Sequence, residues 1–241
     1  MKVSIILPTY NEAGNIADLI NEIMKVKPPL WDIEIIIVDD NSPDGTFDLV
    51  QRSFNSEPII VPIRRTGDRG LAKSLREGSE NSKGEYLIFM DADFNHEPRE
   101  IPRMLDLSND FDIIVGSRFC RNGGMEDKLH YILSLLYNRL IKLLLQLPIY
   151  DSLSGFLMIR KSVLESLNFD QIFVGYGDYT MRLLKEAHVQ GARITEIPVY
   201  YQLRRHGQSK SRFFLLLFTY TWSLLKLKWL ARKHTVKHPV L

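Results

Sequence analysis

The sequence predicts an α/β protein with a mostly parallel sheet flanked by helices. Short runs of β-branched and other apolar residues alternate with helix-like segments through the first half of the chain. These runs are apolar at nearly every position, so both faces of each strand must be covered, as in a parallel sheet between helices. With 241 residues, 45% of them hydrophobic and 25% charged, the chain has the usual composition of a globular protein, which excludes disordered, collagen-like and disulfide-scaffold proteins.

The predicted elements of the first half follow one another in regular order. Strands are expected at 2–8, 33–40, 58–63, 85–93 and 112–118, and helices at 13–26, after Gly45 and at 71–80. Acidic and turn-forming residues follow four of the strands, at 8–12, 39–42, 91–93 and 116–118. Ligands of open α/β sheets bind beyond the carboxyl ends of the strands, so these four segments predict one ligand site at one edge.

The second half begins with a long apolar helix, expected at about 129–147. Every fourth residue of this helix is polar, and the polar residues are His130, Ser134, Asn138, Lys142 and Gln146. A helix that is otherwise apolar nearly all round is either buried in protein or laid against lipid. A strand at 154–159, a helix at 178–188 and a strand at 193–201 follow.

The C-terminal part of the chain is basic and aromatic. Residues 197–241 contain nine Lys and Arg and no Asp or Glu, so they carry +9 against −7 for residues 1–196. A helix is expected at 213–230, but only thirteen uncharged residues separate Arg212 from Lys226, whereas a bilayer span takes about 20. This amphipathic segment and the 129–147 helix are expected to lie in a membrane interface.

Two pairs of carboxylates end predicted strands. Asp91 and Asp93 could hold a hard divalent cation together with diphosphate oxygens, or could merely cap the next turn. Asp39 could accept a hydrogen bond from a nucleobase, whereas Asp40, Asn41 and Ser42 could be ordinary turn and N-cap residues. Both alternatives stay open for an isolated pair, but two acidic strand ends together favour a nucleotide site.

The ordered motifs Pro8-Thr9-Tyr10-Asn11-Glu12, Val38-Asp39-Asp40-Asn41-Ser42, Met90-Asp91-Ala92-Asp93 and Gly116-Ser117-Arg118 resemble those of family 2 glycosyltransferases. Within that family the sequence is most similar to the dolichol-phosphate mannosyltransferases and other polyprenyl-phosphate glycosyltransferases, from Lys2 to about Lys210. The resemblance implies the Rossmann-like GT-A fold.

The resemblance also implies a role for particular donor-side residues. The nucleotide-sugar ligands would be Pro8, Tyr10, Glu12, Asp39, Asp91 and Asp151, the last bordering the sugar pocket. A divalent cation, Mg²⁺ or Mn²⁺, would be held by Asp91, Asp93 and Asn95, where relatives often carry Gln.

On the acceptor side, the resemblance implies that Arg118, His130, Ser134 and Arg204 hold a lipid phosphate, with Asp93 and Arg118 as the catalytic residues. A lipid phosphate is already ionised, so it needs cationic positioning rather than a general base. His130 stands where the family has Arg. Structural alternatives are a salt bridge for Arg118, a polar-stripe position for His130 and a solvated basic loop for Arg204.

The expected function is inverting transfer of one sugar from a nucleotide-diphosphate sugar to dolichyl or polyprenyl phosphate. Mannose is the first candidate for the sugar. Residues 1–210 would form the catalytic domain and 211–241 a membrane-associating helix. The start of the chain does not resemble a signal peptide and Cys120 is the single cysteine, so the expected location is peripheral on the cytoplasmic membrane face. A separate membrane subunit fits this arrangement, and nucleic acid is not an expected partner.

Two other functions remain open on the sequence. One is a glycosyltransferase that acts on a saccharide hydroxyl, and the other is a non-catalytic sugar-nucleotide-binding module. A dinucleotide oxidoreductase is disfavoured because no Gly-x-Gly-x-x-Gly follows the first strand.

Overall fold

The computed structural model describes the backbone of residues 1–203 and 213–235, and the side chains of 1–203 and 217–229. Its strands are β1 (Lys2–Thr9), β2 (Asp32–Asp39), β3 (Ile60–Arg64), β4 (Tyr86–Phe89), β5 (Ile113–Ser117), β6 (Gly124–Met125), β7 (Leu157–Arg160), β8 (Ile194–Pro198) and β9 (Tyr200–Tyr201). Its α-helices are α1 (Ile16–Lys25), α2 (Thr46–Ser53), α3 (Leu71–Asn81), α4 (Ile101–Asp106), α5 (Lys128–Leu145), α6 (Lys161–Ser166), α7 (Phe169–Ile172), α8 (Tyr179–Val189) and α9 (Phe213–Thr235). A 3₁₀ turn at Pro98–Glu100 precedes α4.

Seven strands form the central sheet in the order β3-β2-β1-β4-β7-β5-β8. All neighbouring pairs are parallel except the two that involve β7. The predicted α/β class with a mostly parallel sheet is therefore confirmed, and the carboxyl ends of β1, β2, β4 and β5 lie at one edge.

Continuous apolarity of the strands has the predicted cause, because the sheet is covered on both faces. Ile5 and Leu7 of β1 belong to the core on the α1 side, together with Ile20. Ile6 of the same strand points to the other side, where it packs in a second core with Leu75 of α3. Successive side chains of a strand point to opposite faces, so each face needs its own apolar residues.

Some predicted boundaries were wrong. The strand expected at 193–201 is broken, since β8 continues the main sheet beside β5, whereas β9 pairs with β6 in a separate two-stranded sheet. Pro198 lies at the break and lacks the N–H that a continuing ladder requires. The strand expected at 85–93 ends at Phe89, and the segment after it forms the turn described below.

The polar stripe of the long helix α5 is buried only at its centre, because His130 at its start is exposed. Asn138 is completely buried, together with Ile141 and Leu145, whereas the opposite face exposes apolar side chains. These exposed residues of α5 are Leu129, Ile132, Leu133, Leu136, Leu140 and Leu143.

Helix α9 packs against α5 and extends the same apolar surface. Its Leu224 is buried in the core, and its exposed large side chains are Leu217, Phe218, Trp222, Leu225 and Trp229. Within residues 1–203 and 213–235, the structure has no helix with the length and apolarity that a bilayer crossing requires.

Candidate active site

A cavity of about 1100 Å³ opens at the carboxyl edge of the sheet. Nine of the predicted site residues line this cavity, namely Pro8, Tyr10, Glu12, Asp91, Asp93, Asn95, Arg118, His130 and Ser134. Asp39 and Asp151 are buried behind the wall, and Arg204 lies outside the described residues. The structure thus brings the predicted donor and acceptor residues to one space.

The turn after β4 aims the Asp-x-Asp carboxylates. Both oxygens of Asp93 accept hydrogen bonds from Asn95, one from its backbone N–H at 3.0 Å and one from its amide Nδ2 at 2.9 Å. Phe94 between them has a φ of 67°, a conformation that costs a bulky L-residue about 1–2 kcal/mol. The Phe94 side chain is buried in the core, and this burial offsets the backbone strain.

Oxygen ligands for a hard cation are present at this turn. Asp91 and Asp93 supply carboxylates, and because Nδ2 of Asn95 donates to Asp93, its amide oxygen is the atom left to meet a cation. In the described ranges no three His, Cys, Asp or Glu residues cluster as a complete metal site. The residues fit a Mg²⁺ or Mn²⁺ ion that takes its remaining ligands from water and a diphosphate, as Mg²⁺ commonly does.

The His96 side chain contacts Asp91. The buried His96 ring stacks on Phe156, with 5.0 Å between centroids, and meets the ring of Tyr201 edge-on at 4.7 Å. Its Nδ1 accepts the backbone N–H of Asp91 at 2.9 Å, so a neutral ring carries its proton on Nε2, which lies 3.7 Å from Oδ2 of Asp91. His96 therefore anchors the backbone of Asp91, and its ring lies beside the Asp91 carboxylate.

Asp39, which was predicted to bind a nucleobase, is hydrogen-bonded within its own turn. Asp39 accepts hydrogen bonds from Thr9 Oγ1 at 3.0 Å, from the Ser42 N–H at 2.8 Å and from Ser42 Oγ at 2.5 Å. The contacts of Asp39 are therefore those of a turn residue, and the neighbouring Asp40 lines the cavity.

The cavity has a basic side next to Tyr10 that was not predicted from the sequence. The Arg69 guanidinium lies 4.3 Å from the centroid of the Tyr10 ring, and both residues line the cavity. Arg65 pairs with Asp40, whose other oxygen accepts the Gly70 N–H at 2.9 Å. The Arg-rich segment before α3 was the available signal.

Arg118 is held from three sides. Asp151 accepts its Nε and its Nη2 at 2.8 Å each, and the guanidinium carbon lies 4.8 Å from the centroid of the Tyr201 ring and 4.9 Å from that of Phe119. Burial alone lowers the pKa of Arg118, but the charge of Asp151 outweighs it and raises that pKa above its ordinary value. Arg118 is therefore a permanently charged, oriented group at the cavity wall.

The polar residues of α5 face the cavity. Asp127 caps the helix by accepting the His130 N–H at 3.0 Å, and His130 and Ser134 line the cavity one turn apart. Partial desolvation and then the positive charge of Arg118 lower the pKa of His130 below its ordinary value. Below them, Asn138 donates to the Ser134 carbonyl at 3.0 Å and accepts the Ser152 N–H at 2.8 Å.

The far wall comes from the 174–179 segment and α9, which sequence reasoning treated as separate. Tyr176 and Tyr220 line the cavity. Asp178, the N-cap residue of α8, makes no side-chain cap hydrogen bond; its buried side chain accepts Ser223 Oγ at 2.6 Å and pairs with Arg182. Helix α9 is thereby fixed to the loop that closes the site.

The family model described as "Glycosyl transferase family 2" matches residues 4–167, which is more than half of the chain. The chain belongs to glycosyl transferase family 2. The predicted family resemblance is confirmed.

Two curated relatives of this glycosyltransferase are named for lipid-phosphate acceptors. The dolichol-phosphate mannosyltransferase of Pyrococcus furiosus is 34% identical over 217 residues, 87% of this chain and 59% of that protein. The undecaprenyl-phosphate mannosyltransferase of Micrococcus luteus is 30% identical over 220 residues, 87% of each protein. The chain thus spans less than two thirds of the Pyrococcus relative.

Solved structures confirm the fold of the glycosyltransferase. The glucosyl-3-phosphoglycerate synthase of Mycobacterium tuberculosis in complex with UDP superimposes with a TM-score of 0.71 at 18% identity, covering 94% of this chain and 80% of that one. A complex of the same enzyme with Mn²⁺, UDP and phosphoglyceric acid has a TM-score of 0.69, with 94% and 76% covered. The GT-A fold expected from the sequence is the one observed.

Proposed function

We propose that this family 2 glycosyltransferase transfers a single sugar from a nucleotide-diphosphate sugar to dolichyl or polyprenyl phosphate with inversion. Mannose is the first candidate for the sugar. The observation that carries the proposal is the position of Arg118, an oriented cation on the same cavity as Asp91 and Asp93. The names of the Pyrococcus and Micrococcus relatives support the choice of sugar and acceptor.

On the donor side, Asp91, Asp93 and Asn95 would hold a divalent cation, which neutralises charge on the leaving diphosphate when bound. Tyr10 and Arg69 form an aromatic and cationic wall suited to the nucleoside diphosphate. The Mn²⁺ and UDP complexes of the structural neighbour support this use of the sheet edge.

On the acceptor side, the cavity offers hydrogen-bond donors beside the Asp127 carboxylate that caps α5. Arg118 and Ser134 can donate to phosphate oxygens, and His130 adds a donor at the same wall. The Asp178 carboxylate is engaged by Arg182 and Ser223 and does not line the cavity. These features favour an ionised phosphate over a hydroxyl acceptor, and Arg204 would complete the set.

The exposed apolar surface of α5 and α9 would rest on the membrane that contains the acceptor. A helix whose polar stripe faces the protein and whose leucines face outward is inverted relative to an ordinary surface helix. Exposed Arg139 and Lys226 lie on the same two helices and suit anionic lipid headgroups. The enzyme would thus be peripheral on the cytoplasmic face, with residues 211–241 as its membrane-associating helix.

Transfer of a radiolabelled sugar to a short-chain prenyl phosphate, read after lipid extraction, tests this proposal. GDP-mannose and UDP-glucose are compared as donors, and the anomeric configuration of the product reports inversion. We expect Asp93→Asn to abolish turnover and Arg118→Ala to leave only a small residual turnover, with the exposed Asp170→Asn and Arg193→Ala as matched controls that retain full turnover. Transfer to saccharide hydroxyls alone, or unchanged turnover in both site variants, would contradict the proposal.

A further inference from the structure

The guanidinium of Arg118 presents two different edges. Asp151 occupies the side edge by accepting Nε and Nη2, each at 2.8 Å. Nη1 makes no hydrogen bond to any residue of the described ranges, and Arg118 lines the cavity. An arginine has five N–H donors, so three remain, and two of them, one on Nη1 and one on Nη2, lie on the end edge of the guanidinium. That edge can bind two oxygens of one phosphate.

Asp151 itself is fixed and lies apart from the cavity. It is completely buried, and its Oδ2 also accepts the backbone N–H of Arg118 at 3.1 Å. Its own N–H donates to Glu196 at 2.8 Å, and the Tyr150 N–H donates to the other oxygen of Glu196 at the same distance. A carboxylate locked in this way can orient Arg118 without touching a ligand.

The Glu196 carboxylate is partly buried beside Asp151. Burial and the neighbouring Asp151 charge act together to raise the pKa of Glu196 above its ordinary value. The hydrogen bonds from the 150–151 backbone therefore hold Glu196 in place while Asp151 takes the ion pair with Arg118.

From this geometry we infer that Asp151 is a positioning residue, which turns the free end edge of Arg118 toward the acceptor phosphate and does not bind the sugar nucleotide. The inference rests on the proposed function and gives Asp151 a role different from the sugar-pocket role that the sequence suggested. In this role Asp151 orients Arg118, and a misplacement of about 1 Å at a reacting group costs on the order of 100-fold in rate.

A double-mutant cycle separates positioning from donor binding. The proteins are wild type, Asp151→Asn, Arg118→Ala and the double variant, and the readouts are kcat/KM for a short-chain prenyl phosphate and the affinity for UDP or GDP with Mn²⁺. We expect Asp151→Asn to lower kcat/KM about 100-fold and to leave nucleotide affinity unchanged. In the Arg118→Ala background the same change should add no further loss.

Chemical rescue is an independent test, made on a double variant whose unfolding in urea matches that of Arg118→Ala. Methylguanidinium should restore turnover to Arg118→Ala while Asp151 is present and should fail in the double variant. Equal rescue of both proteins, additive losses in the cycle, or a loss of nucleotide affinity in Asp151→Asn would overturn the positioning role. Wild-type turnover is measured first, because its absence with every donor contradicts the proposed function, whereas the other outcomes contradict only the role of Asp151.

Discussion

Removing apolar side chains from the outer face of α5 should weaken membrane binding without weakening the fold. Leu136 and Leu143 are 57% and 75% exposed and lie seven residues apart, on one face of the helix. Complete burial of a leucine is worth about 1.5–3 kcal/mol, so scaling by the exposed fractions gives about 2–4 kcal/mol for the pair. The variant Leu136→Gln/Leu143→Gln should therefore bind vesicles about 30-fold to several hundred-fold more weakly.

Sedimentation with vesicles of phosphatidylcholine and phosphatidylglycerol measures this partition coefficient. Leu30→Gln is the matched control, because Leu30 is 88% exposed but lies beside the amino ends of β1 and β2, at the opposite edge of the sheet. All three substituted side chains are already in water in the free protein, so thermal unfolding should change little. Equal binding by wild type and the double variant, or an equal loss in Leu30→Gln, would refute the reasoning. Binding by the chain alone would show that no second subunit is required for attachment.

Three further predictions concern the site and the core. Because the pKa of His130 is lowered from 6.5, this side chain is neutral at pH 7 and gains charge only as the pH falls below about 6.5. The KM of the wild type for prenyl phosphate should then fall relative to the KM of His130→Gln. His130→Arg, which stays charged, should not show this dependence on pH. Leu224→Ala should lower the free energy of unfolding in urea by about 2–5 kcal/mol, because Leu224 of α9 is buried in the core. Chelation of divalent cations, or Asp91→Asn, should weaken binding of UDP or GDP by at least about tenfold in calorimetry, because the diphosphate would meet unneutralised carboxylates.

Each of these three predictions has its own control. His130→Gln reports the pH dependence that comes from ionisation of the lipid phosphate, so parallel profiles in wild type and variant would exclude a charge on His130. Leu225→Ala removes a half-exposed leucine next to Leu224, and equal losses would mean that α9 is not part of the core. Nucleotide binding that is indifferent to chelation would exclude the cation at Asp91.

The fold followed from local patterns because those patterns have a simple physical cause. Continuous apolar runs such as β1 and β2 must be covered on both faces, and parallel strands place their carboxyl ends at one edge. Pro8, Tyr10, Asp91, Asp93 and Arg118 all end or follow such strands, so their convergence on one cavity was predictable. The short elements α4, α6, α7 and β6 were not predicted, because their few residues carry too little periodicity.

Partnerships between distant residues could not be read from the chain. Whether Asp39 faces a base or its own turn depends on Thr9, 30 residues away, and the role of Asp151 depends on Arg118, 33 residues away. Likewise, the stripe on α5 was visible as a spacing, but only packing against α9 and the 150–152 segment decided that Asn138 faces inward and the leucines outward.

The sequence by itself therefore determined the class of fold, the family, the edge that carries the site and most of the residues at that edge. These depend on periodicity and on residue type, which are local. The tertiary structure decided which carboxylate faces the cavity, which cation is oriented and by what, and which side of α5 is exposed, because burial and hydrogen-bond pairing are settled only when remote segments meet.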